Sequence, residues 1–448
     1  MFKMMMITLT GVCLLMLVSC GKEDQTKKDK IPQVDINFTR TWLPPAGSAT
    51  IAYNSESPFL KIFDNIDVKD IQNVSQGREL FIAEWNIAPG SRVLLDGLGP
   101  MFNAKACVSC HISNGRINPY NENGSLHDSF LFRIGNNESQ THPILGKQLQ
   151  TRGTTGYVEG NITWTKNNGV ISFSDNANIV NDGFNLGPRI SPHLLGMGLL
   201  NLVEEHTIIE FEDLNDDNKD GISGRVHWVT EGNKRKIGRF GWKAINSNLR
   251  TQNAGALSED MGLTTTINPK ENCTSEQEIC ATQANGGSPE VSDASLDAIV
   301  SFMTALGVPD RRIINQDKFD NGANIFDEIG CALCHRPTLR TGVSEKFKAL
   351  THQTLYAYTD LLLHDMGDEL SDGVIEKNAS SKEWRTPPLW GIGIVEKKEG
   401  ALFLHDGRAK SIDAAIIYHG GEAKIVKEKY LELNEEKKNA LLEFLRGI

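Results

Sequence analysis

The stretch AKACVSCHISNGR, residues 104–116, contains two cysteines and a histidine in the spacing Cys-x-x-Cys-His. The stretch EIGCALCHRPTLR, residues 328–340, repeats this spacing more than two hundred residues later. The residues of the two copies are Cys107, Cys110 and His111, and Cys331, Cys334 and His335. Two copies of so specific a motif rarely arise by chance in one chain, so their chemistry decides how the chain is organised.

Three kinds of chemistry use closely spaced cysteine pairs. A four-cysteine zinc site normally has its two halves within about 20 residues of each other, which does not hold here. A thioredoxin-like motif is a single pair beside a βαβ pattern and needs no following histidine. Covalent haem attachment accounts for every residue, because the cysteines form thioethers to the porphyrin and the histidine binds iron. We therefore predict two covalently bound haem c groups, with His111 and His335 as iron ligands.

The beginning of the chain has the features of an export signal. Residues 1–19 are predicted to be a signal peptide, because their apolar run is too short to span a bilayer. The segment LVSC resembles a bacterial lipoprotein box and predicts lipidation of Cys20, whereas an ordinary signal peptide would leave this cysteine incidental. Residues 20–69 are interpreted as a tether and N-terminal extension. We expect a lipid-anchored protein outside the cytoplasm, at the periplasmic face or on the outer membrane.

Composition limits the partners. Hydrophobic residues make up 39% of the 448 residues, which is enough for folded cores. The formal net charge of −11 argues against nucleic acid and favours a basic electron donor such as a small cytochrome or a cupredoxin. In an oxidising compartment, Cys273 and Cys280 are predicted to form a disulfide across the polar loop TSEQEI.

The flanks of the two motifs form an internal repeat. A glycine and a phenylalanine four residues apart precede each motif, Gly77 and Phe81 before the first and Gly322 and Phe326 before the second. Small c-type cytochromes begin with such a helix, whose glycine allows a C-terminal helix to approach closely. Residues 295–312 (SLDAIVSFMTALGVPDRR) and 437–448 (KKNALLEFLRGI) have apolar side chains at helical spacing and are predicted to be these second helices.

The repeat predicts a mainly α fold with two cytochrome c-like haem domains, residues 70–310 and 311–448. The first domain is longer than a cytochrome requires and is predicted to carry a large insertion at about residues 130–290. Within this insertion, GNITWTKNNGVISF (160–173) predicts a β-hairpin around its Asn-Gly pair. The segment RVHWVTEGNKRKIGRFGW (225–242) predicts a second hairpin.

An acidic loop between the two hairpins matches the opening of a calcium-binding loop. Asp216, Asn218 and Asp220 stand at ligand positions, and the carbonyl of Ile222 follows them. The twelfth position is His227 rather than the glutamate of an EF-hand, so we predict a different calcium turn with a structural role. The alternative is a solvated acidic turn capped by its own asparagines.

Five stretches together resemble one family, the bacterial di-haem oxidoreductases, often labelled thiol oxidoreductases. They are GPMFNAKACVSCHISNGR, GPRISPHLLGMGLL, LLLHDMGDELSDG, EWRTPPLWGIG and FLHDGRAKSIDAAIIYHGGEA, and the resemblance covers about residues 70–448. The family is distantly related to di-haem cytochrome c peroxidases, and the resemblance implies two c-type haem domains and a redox role. The thiol label finds little support here, because haem attachment uses both Cys-x-x-Cys pairs.

The resemblance also suggests the sixth iron ligand of the C-terminal haem. In the peroxidases a ligand follows a His-Asp-Gly turn by fourteen residues, and counting from His405 leads to His419. We therefore predict His335 and His419 as axial ligands, with Tyr418 as a reserve; the alternative is that His419 only caps a helix. His364 and Met366 in the same domain are interpreted mainly as packing groups around the haem, with ligation as their alternative.

For the N-terminal haem the sequence leaves the sixth ligand open. His127 lies sixteen residues after His111, a spacing that matches the displaceable histidine of the peroxidases. His193 and Met197 are rival ligands. Arg116 is predicted to pair with a haem propionate.

A peroxidase also needs an acid–base group and a positive group near an open iron. Glu204 and Glu205, with Arg189, are the candidates for these catalytic roles, although the glutamates equally fit a solvated helix face. Trp384 or Trp390 is expected to help bridge the two haems.

Two classes of function follow. In the first, the protein is a peroxidase-like enzyme that takes electrons at the C-terminal haem and uses them at the N-terminal haem, with a small-molecule oxidant. In the second, both irons are six-coordinate and the protein is a membrane-anchored electron relay without substrate chemistry. The inserted β region and the two His-Asp turns exceed what a relay requires, so we favour the enzyme.

Overall fold

The computed structural model describes residues 42–397 and 402–448, apart from residues 117, 119, 122, 124, 128, 129, 155, 157, 168, 169 and 178. The predicted signal peptide and Cys20 lie outside the described residues. Residues Trp42–Ile448 form one compact unit. Among the described residues, no helix is both long enough and apolar enough to cross a membrane.

α-Helices account for more of the described residues than strands do. The helices are α1 Val68–Ile82, α2 Cys107–Cys110, α3 Met197–Asn201, α4 Glu205–Ile209, α5 Leu249–Met261, α6 Glu278–Ala281, α7 Asp293–Ala305, α8 Gln316–Ile329, α9 Ile392–Lys397, α10 Ile412–Ile417, α11 Lys424–Glu432 and α12 Glu435–Gly447. Short 3-10 turns connect several of them, including one at Cys331–Leu333 and one at Gly421–Ala423.

The strands form small two-stranded sheets. They are β1 Thr50–Ile51, β2 Met101–Phe102, β3 Phe130–Gly135, β4 Arg152–Gly153, β5 Ile162–Asn167, β6 Val170–Asp175, β7 Asn185–Ile190, β8 Trp228–Glu231, β9 Lys234–Ile237, β10 Val308–Pro309, β11 Leu339–Arg340, β12 Thr354–Leu355, β13 Leu363–Asp365 and β14 Glu383–Arg385. The pairs are β1–β10, β2–β4, β3–β7, β5–β6, β8–β9, β11–β12 and β13–β14. Both predicted hairpins are present, as β5–β6 and β8–β9.

Two helix pairs carry the repeat that the sequence predicts. Helix α1 crosses α7 at Gly77, where an added Cβ would lie 1.8 Å from the carbonyl oxygen of Ala298. Helix α8 crosses α12 at Gly322, where an added Cβ would lie 2.1 Å from the carbonyl oxygen of Ala440. Only glycine permits such close backbone approach, so the predicted role of both glycines is confirmed.

The core extends across both helix pairs. Phe81 meets Phe302 at a ring-centroid distance of 5.4 Å, and Phe326 meets Phe444 at the same distance in the second pair. All four rings belong to one hydrophobic cluster of buried residues. Burial of each ring contributes about 1.5–3 kcal/mol to stability. Because the two helix pairs share this core within one compact unit, the domain boundary at residue 310 stays a prediction.

The described part of the N-terminal extension, residues 42–69, packs onto the helical body. Strand β1 pairs in parallel with β10, so the extension adds a strand beside the end of α7. The indole of Trp42 donates to Asp320 at 2.6 Å and contacts the ring of Phe319 edge-on at 4.9 Å. Any tether is therefore confined to residues before Trp42.

Candidate haem-binding site

The second Cys-x-x-Cys-His motif begins where α8 ends. Gly330 caps the helix with a φ of 102°, a left-handed conformation that glycine adopts without strain. The chain then turns directly into the 3-10 turn Cys331–Leu333. Cys331, Cys334 and His335 are all half-buried, and neither cysteine forms a disulfide. The helix end therefore presents the two thiols and the imidazole together.

The imidazole of His335 is oriented by a backbone carbonyl. Its Nδ1 lies 2.9 Å from the carbonyl oxygen of Tyr358. Because a carbonyl can only accept, Nδ1 carries the proton and Nε2 keeps a free lone pair. Burial lowers the pKa of His335 to about 4, so the ring is neutral at physiological pH. A neutral imidazole held through one nitrogen is the arrangement that metal-binding histidines adopt.

The first motif has the same arrangement. Nδ1 of His111 lies 2.9 Å from the carbonyl oxygen of Pro192, and burial lowers the pKa of His111 to about 4. Cys107 and Cys110 are the end residues of α2, immediately before this histidine. The ring of Phe81 lies 6.3 Å from the imidazole, in the position that Phe326 takes near His335 at 6.5 Å. Both motifs therefore present an imidazole suited to bind iron through Nε2.

The thiols themselves are poorly suited to thiol chemistry. Burial raises the pKa of both Cys107 and Cys331 to about 12. Reactive cysteines need a lowered pKa, because the thiolate is the nucleophile. These cysteines therefore remain protonated at physiological pH, which fits a role in thioether formation better than one in thiol oxidation.

A cavity of about 1480 Å³, including the space open to solvent, opens beside the second motif. Cys331, Cys334 and His335 line it, together with His419. The lining also includes many apolar side chains, such as those of Phe326, Leu389 and Val395. Two free thiols and a neutral imidazole at the wall of a large apolar cavity fit haem c.

His419 belongs to the same cavity as His335. Its Nδ1 lies 2.8 Å from the carbonyl oxygen of Ala415, one turn earlier, which again leaves Nε2 with a free lone pair. Burial lowers the pKa of His419, so this ring is also neutral. Tyr418 is not among the described residues that line the cavity, and the guanidinium of Arg408 lies 5.6 Å from its ring centre. Between these neighbours, the geometry favours His419 as the ligand.

His364 lines the cavity, but both of its ring nitrogens are occupied. Nε2 lies 2.9 Å from a carboxylate oxygen of Asp360, and Nδ1 lies 2.8 Å from one of Glu422. Burial alone would lower the pKa of His364, but the Asp360 carboxylate holds it well above its usual value. A protonated imidazole has no lone pair for iron, so the packing interpretation of His364 fits this geometry. Met366 also lines the cavity.

The three predicted candidates for the sixth ligand of the N-terminal haem lie in different parts of the fold. His127 is half-buried, and its carbonyl accepts from the backbone amide of Phe130. Met197 is half-buried at the start of α3. His193 is buried, stacks on Phe59 at 6.0 Å and lines the cavity of the second motif.

His193 directly follows the residue that orients His111. The carbonyl of Pro192 contacts Nδ1 of His111, which leaves Nε2 as the nitrogen available for iron. Ligation by His193 at the first motif stays a prediction.

The three catalytic candidates are not brought together. Arg189 is buried on β7, where its guanidinium pairs with Asp372 at 2.5 Å and with Glu376 at 2.8 Å. Glu204 lies beside His206 at 3.6 Å, and Glu205 is exposed. None of the three is among the residues that line the cavity. The partners of Arg189 were hidden from the sequence because they lie more than 180 residues away along the chain.

The acidic turn at residues 213–225 is held by its own hydrogen bonds. The carboxylate of Asp216 accepts a hydrogen bond from the backbone amide of Gly221 at 3.1 Å. The side-chain oxygen of Asn218 accepts from the amide of Asp220, and the carboxylate of Asp220 accepts from the amide of Ile222, both at 2.9 Å. These bonds correspond to the self-capped turn that was the alternative to a calcium site. Calcium binding here stays a prediction.

Between the two motifs, Cys273 and Cys280 form the disulfide that the sequence predicts.

The two tryptophans predicted to help bridge the haems differ in position. Trp384 lines the cavity and stacks on His405 with ring centres 3.7 Å apart. Trp390 is fully buried and packs against Gly196 instead.

Comparison with known proteins agrees with this site. Residues 146–448 match a sequence model of the family described as "Di-haem oxidoreductase, putative peroxidase". The chain belongs to this family. The matched region contains the second motif, His364 and His419, and it begins after the first motif.

Two further comparisons add little. No curated protein matches this di-haem oxidoreductase significantly. The match to a solved structure of Kuenenia stuttgartiensis hydrazine synthase, pressurised with 20 bar xenon, covers 94% of this chain and 100% of that one. It is 13% identical, with a TM-score of 0.36, and such a similarity is too low to support any argument about fold or function.

Sequence reasoning missed two features of this di-haem oxidoreductase. The first is that the carboxylates of Asp360 and Glu422 both contact His364. Asp360 stands four residues before His364, and this spacing was the sequence feature from which the contact could have been predicted. Arg385 lines the cavity with only 8% of its surface exposed, and nothing in the segment EWRTPP marks it as a cavity residue.

Proposed function

We propose that this protein is a di-haem c-type cytochrome oxidoreductase with peroxidase-like activity. Electrons enter at the haem of the second motif and are used at the haem of the first. The observation that supports it most strongly is the matched pair of histidines, His111 and His335, each held at Nδ1 by a carbonyl 2.9 Å away. A haem at each motif supplies one-electron chemistry at iron, and the chain supplies its position and surroundings.

The chain's own residues divide the two sites by role. At the second site, His335 and His419 both offer a neutral Nε2 to one apolar cavity, which suits a six-coordinate electron-transfer centre. At the first site, the proposal leaves the sixth position of the iron to an oxidant and does not assign it to His127, His193 or Met197. The proposal therefore assigns the reactive position to the first site.

The remaining parts of the proposal concern partners and location. The net charge of −11 favours a basic donor, for which a small cytochrome or a cupredoxin is suited. A small oxidant such as hydrogen peroxide would act at the N-terminal haem. Lipidation of Cys20 would anchor the protein to a membrane outside the cytoplasm, and its measurable consequence is a lipid-sized mass increase that Cys20→Ser abolishes.

The alternative is a membrane-anchored relay in which both irons are six-coordinate. The geometry of His419 favours it in part, because that residue would supply a sixth ligand at the second site. The relay would require in addition a second protein ligand at the first site, for which His127, His193 and Met197 are the candidates.

Electron paramagnetic resonance of the purified holoprotein separates the two functions. Spectra are recorded fully oxidised and half-reduced, before and after hydrogen peroxide, with haem content determined first as the pyridine haemochrome. A high-spin ferric signal, or one that appears on half-reduction and is lost with peroxide, supports the enzyme. Two low-spin signals indifferent to peroxide support the relay. Protein without covalent haem refutes both.

A further inference from the structure

One wall of the cavity beside the second motif carries polar atoms without partners. Nε of Arg116, Nδ1 of His193 and Nε2 of His405 are all buried and make no hydrogen bond with any described residue. All three residues line this one cavity. Buried polar atoms are almost always hydrogen-bonded, so this wall is built for a polar group that enters the cavity.

The same wall contains two guanidinium groups that make no ion pair, although the Asp360 carboxylate partly offsets the effect of burial on the pKa of Arg385. Arg116 donates to the carbonyl of Leu402 at 3.0 Å and lies 5.4 Å from the ring centre of Trp242. Arg385 donates to the carbonyls of Gly241 and Thr386 at 3.1 and 3.0 Å. Neither makes an ion pair with a carboxylate of the described residues.

Both guanidiniums keep their charge in spite of burial. Burial lowers the pKa of Arg116 and that of Arg385 to about 10, so each is still a cation at neutral pH. A buried cation without a counter-ion is strongly destabilising. Two other buried cations, Arg133 and Arg189, are neutralised by Glu376, whereas Arg239 donates only to backbone carbonyls, which lie outside this cavity. The two cavity arginines are therefore prepared for an anion that the protein does not itself provide.

The position of Arg116 relates it to both motifs, since its charge also contributes to the lowered pKa of His111. Arg116 follows His111 by only five residues, so sequence proximity alone would assign it to the first haem. Its guanidinium is instead held by Leu402, and the adjoining residues Phe403, Leu404 and His405 line the cavity of the second motif. The side chain thus passes from the first motif to the wall of the second site.

We infer that Arg116 and Arg385 bind the two propionate carboxylates of the haem carried by the second motif. This inference rests on the proposed function, since it requires a haem at Cys331 and Cys334. The thioethers attach the vinyl side of a porphyrin, and its propionates lie on the opposite side. Two carboxylates entering a wall with two unpaired guanidiniums satisfy both charges, and charge-assisted bonds to arginine are among the strongest in proteins.

The arrangement has a consequence for electron transfer. A cation beside a haem disfavours the ferric state, which carries one more positive charge than the ferrous state. Arg116 and Arg385 therefore raise the reduction potential of the C-terminal haem. Because Arg116 adjoins the first motif, a change in the chain around His111 would also alter the potential of the other haem.

Spectroelectrochemical titration of the holoprotein tests this role. The variants are Arg116→Gln and Arg385→Gln, and the control is Arg340→Gln, an arginine exposed on the surface. Each cavity variant is expected to shift the ferric-to-ferrous equilibrium of the C-terminal haem at least tenfold toward ferric, equal to about 59 mV for one electron. The control is expected to leave both potentials unchanged.

The two haems are assigned with Cys107→Ser/Cys110→Ser, which carries haem only at the second motif. If that variant does not fold, the C-terminal haem is identified in the full protein by a crystal structure, which also shows whether guanidiniums contact its propionates. A shift confined to the N-terminal haem, or no shift in either cavity variant, overturns the inference. A third outcome would also overturn the inference. If added acetate shifts the potential of the C-terminal haem in the wild type but not in Arg116→Gln, the arginine binds a free anion rather than a propionate.

Failure of the inference differs from failure of the proposed function. Wild-type protein without two covalent haems refutes the proposed function. Wild-type protein with two haems whose C-terminal potential ignores both substitutions refutes only the assignment of the arginines.

Discussion

The crossing of α8 and α12 gives a sharp test of the packing that supports the second haem site. In Gly322→Ala, the new Cβ would lie 2.1 Å from the carbonyl oxygen of Ala440 and 2.7 Å from Cβ of Phe444. Both neighbours belong to the partner helix, so the contact is relieved only if the helices separate. Because α8 leads directly into Cys331, the attachment motif moves with it.

The expected loss of stability follows from two opposing effects. Replacing glycine by alanine inside a helix normally stabilises by about 0.5–1 kcal/mol. Against this, the helices must separate by about 1 Å, which forfeits a quarter to a half of the dispersion energy of each affected contact. Overpacking of a core typically costs about 1–3 kcal/mol. We therefore expect Gly322→Ala to lower the free energy of unfolding by about 1–2 kcal/mol.

The chain offers a matched control in Gly255, which lies inside α5 with nothing within 4 Å of its added Cβ. Gly255→Ala keeps the gain in helix propensity without a clash and is expected to stabilise by about 0.5–1 kcal/mol. Urea unfolding of the holoprotein, followed by circular dichroism at unchanged m-value, measures both variants. A midpoint for Gly322→Ala equal to or above that of the wild type would refute the reasoning.

Three further predictions concern single contacts. His419→Met is expected to replace the low-spin signal of the C-terminal haem and raise its potential, because histidine–methionine ligation favours the ferrous state; an unchanged spectrum would show that His419 is not a ligand. His364→Gln leaves Asp360 and Glu422 buried without their cation and is expected to cost about 3 kcal/mol. The pKa of His364 is raised well above 6.5 in the folded protein. The charged imidazole therefore stabilises the fold fully below pH 6.5, and this stabilisation is lost as the pH rises through the folded pKa. In urea titrations at alkaline pH, the difference in free energy of unfolding between the wild type and His364→Gln should therefore shrink. Cys273→Ser/Cys280→Ser opens a short loop and should lower stability by about 2 kcal/mol, which the same urea midpoints would detect.

Local patterns predicted much of this structure from sequence. Strands β5 and β6 pair as the sequence predicts, because an Asn-Gly pair between two alternating runs is a strong hairpin signal whatever surrounds it. The glycines of α1 and α8 were recognisable because each precedes an attachment motif at the same position of a helix. The disulfide Cys273–Cys280 was predicted from a short loop and from the expectation of an oxidising compartment. In each case the residues that interact are close in sequence or repeat at the same place.

Two of the predicted functional groups have partners far along the chain, which the sequence did not reveal. Arg189 was read as a catalytic cation, yet its partners Asp372 and Glu376 approach from another part of the fold. Arg116 was assigned to a haem propionate, and only the contact with Leu402, 286 residues away, shows which cavity its side chain reaches. No periodicity or spacing encodes such encounters.

The sequence by itself therefore determined the two Cys-x-x-Cys-His motifs and the helices that carry them, because each depends on side chains within a few residues of one another. Only the tertiary structure decided that His364 is clamped between carboxylates, that His419 shares a cavity with His335, and that an arginine beside the first motif lies in the wall of the second site. The physical reason is that burial and charge pairing depend on which distant segments pack together, and that is a property of the whole chain.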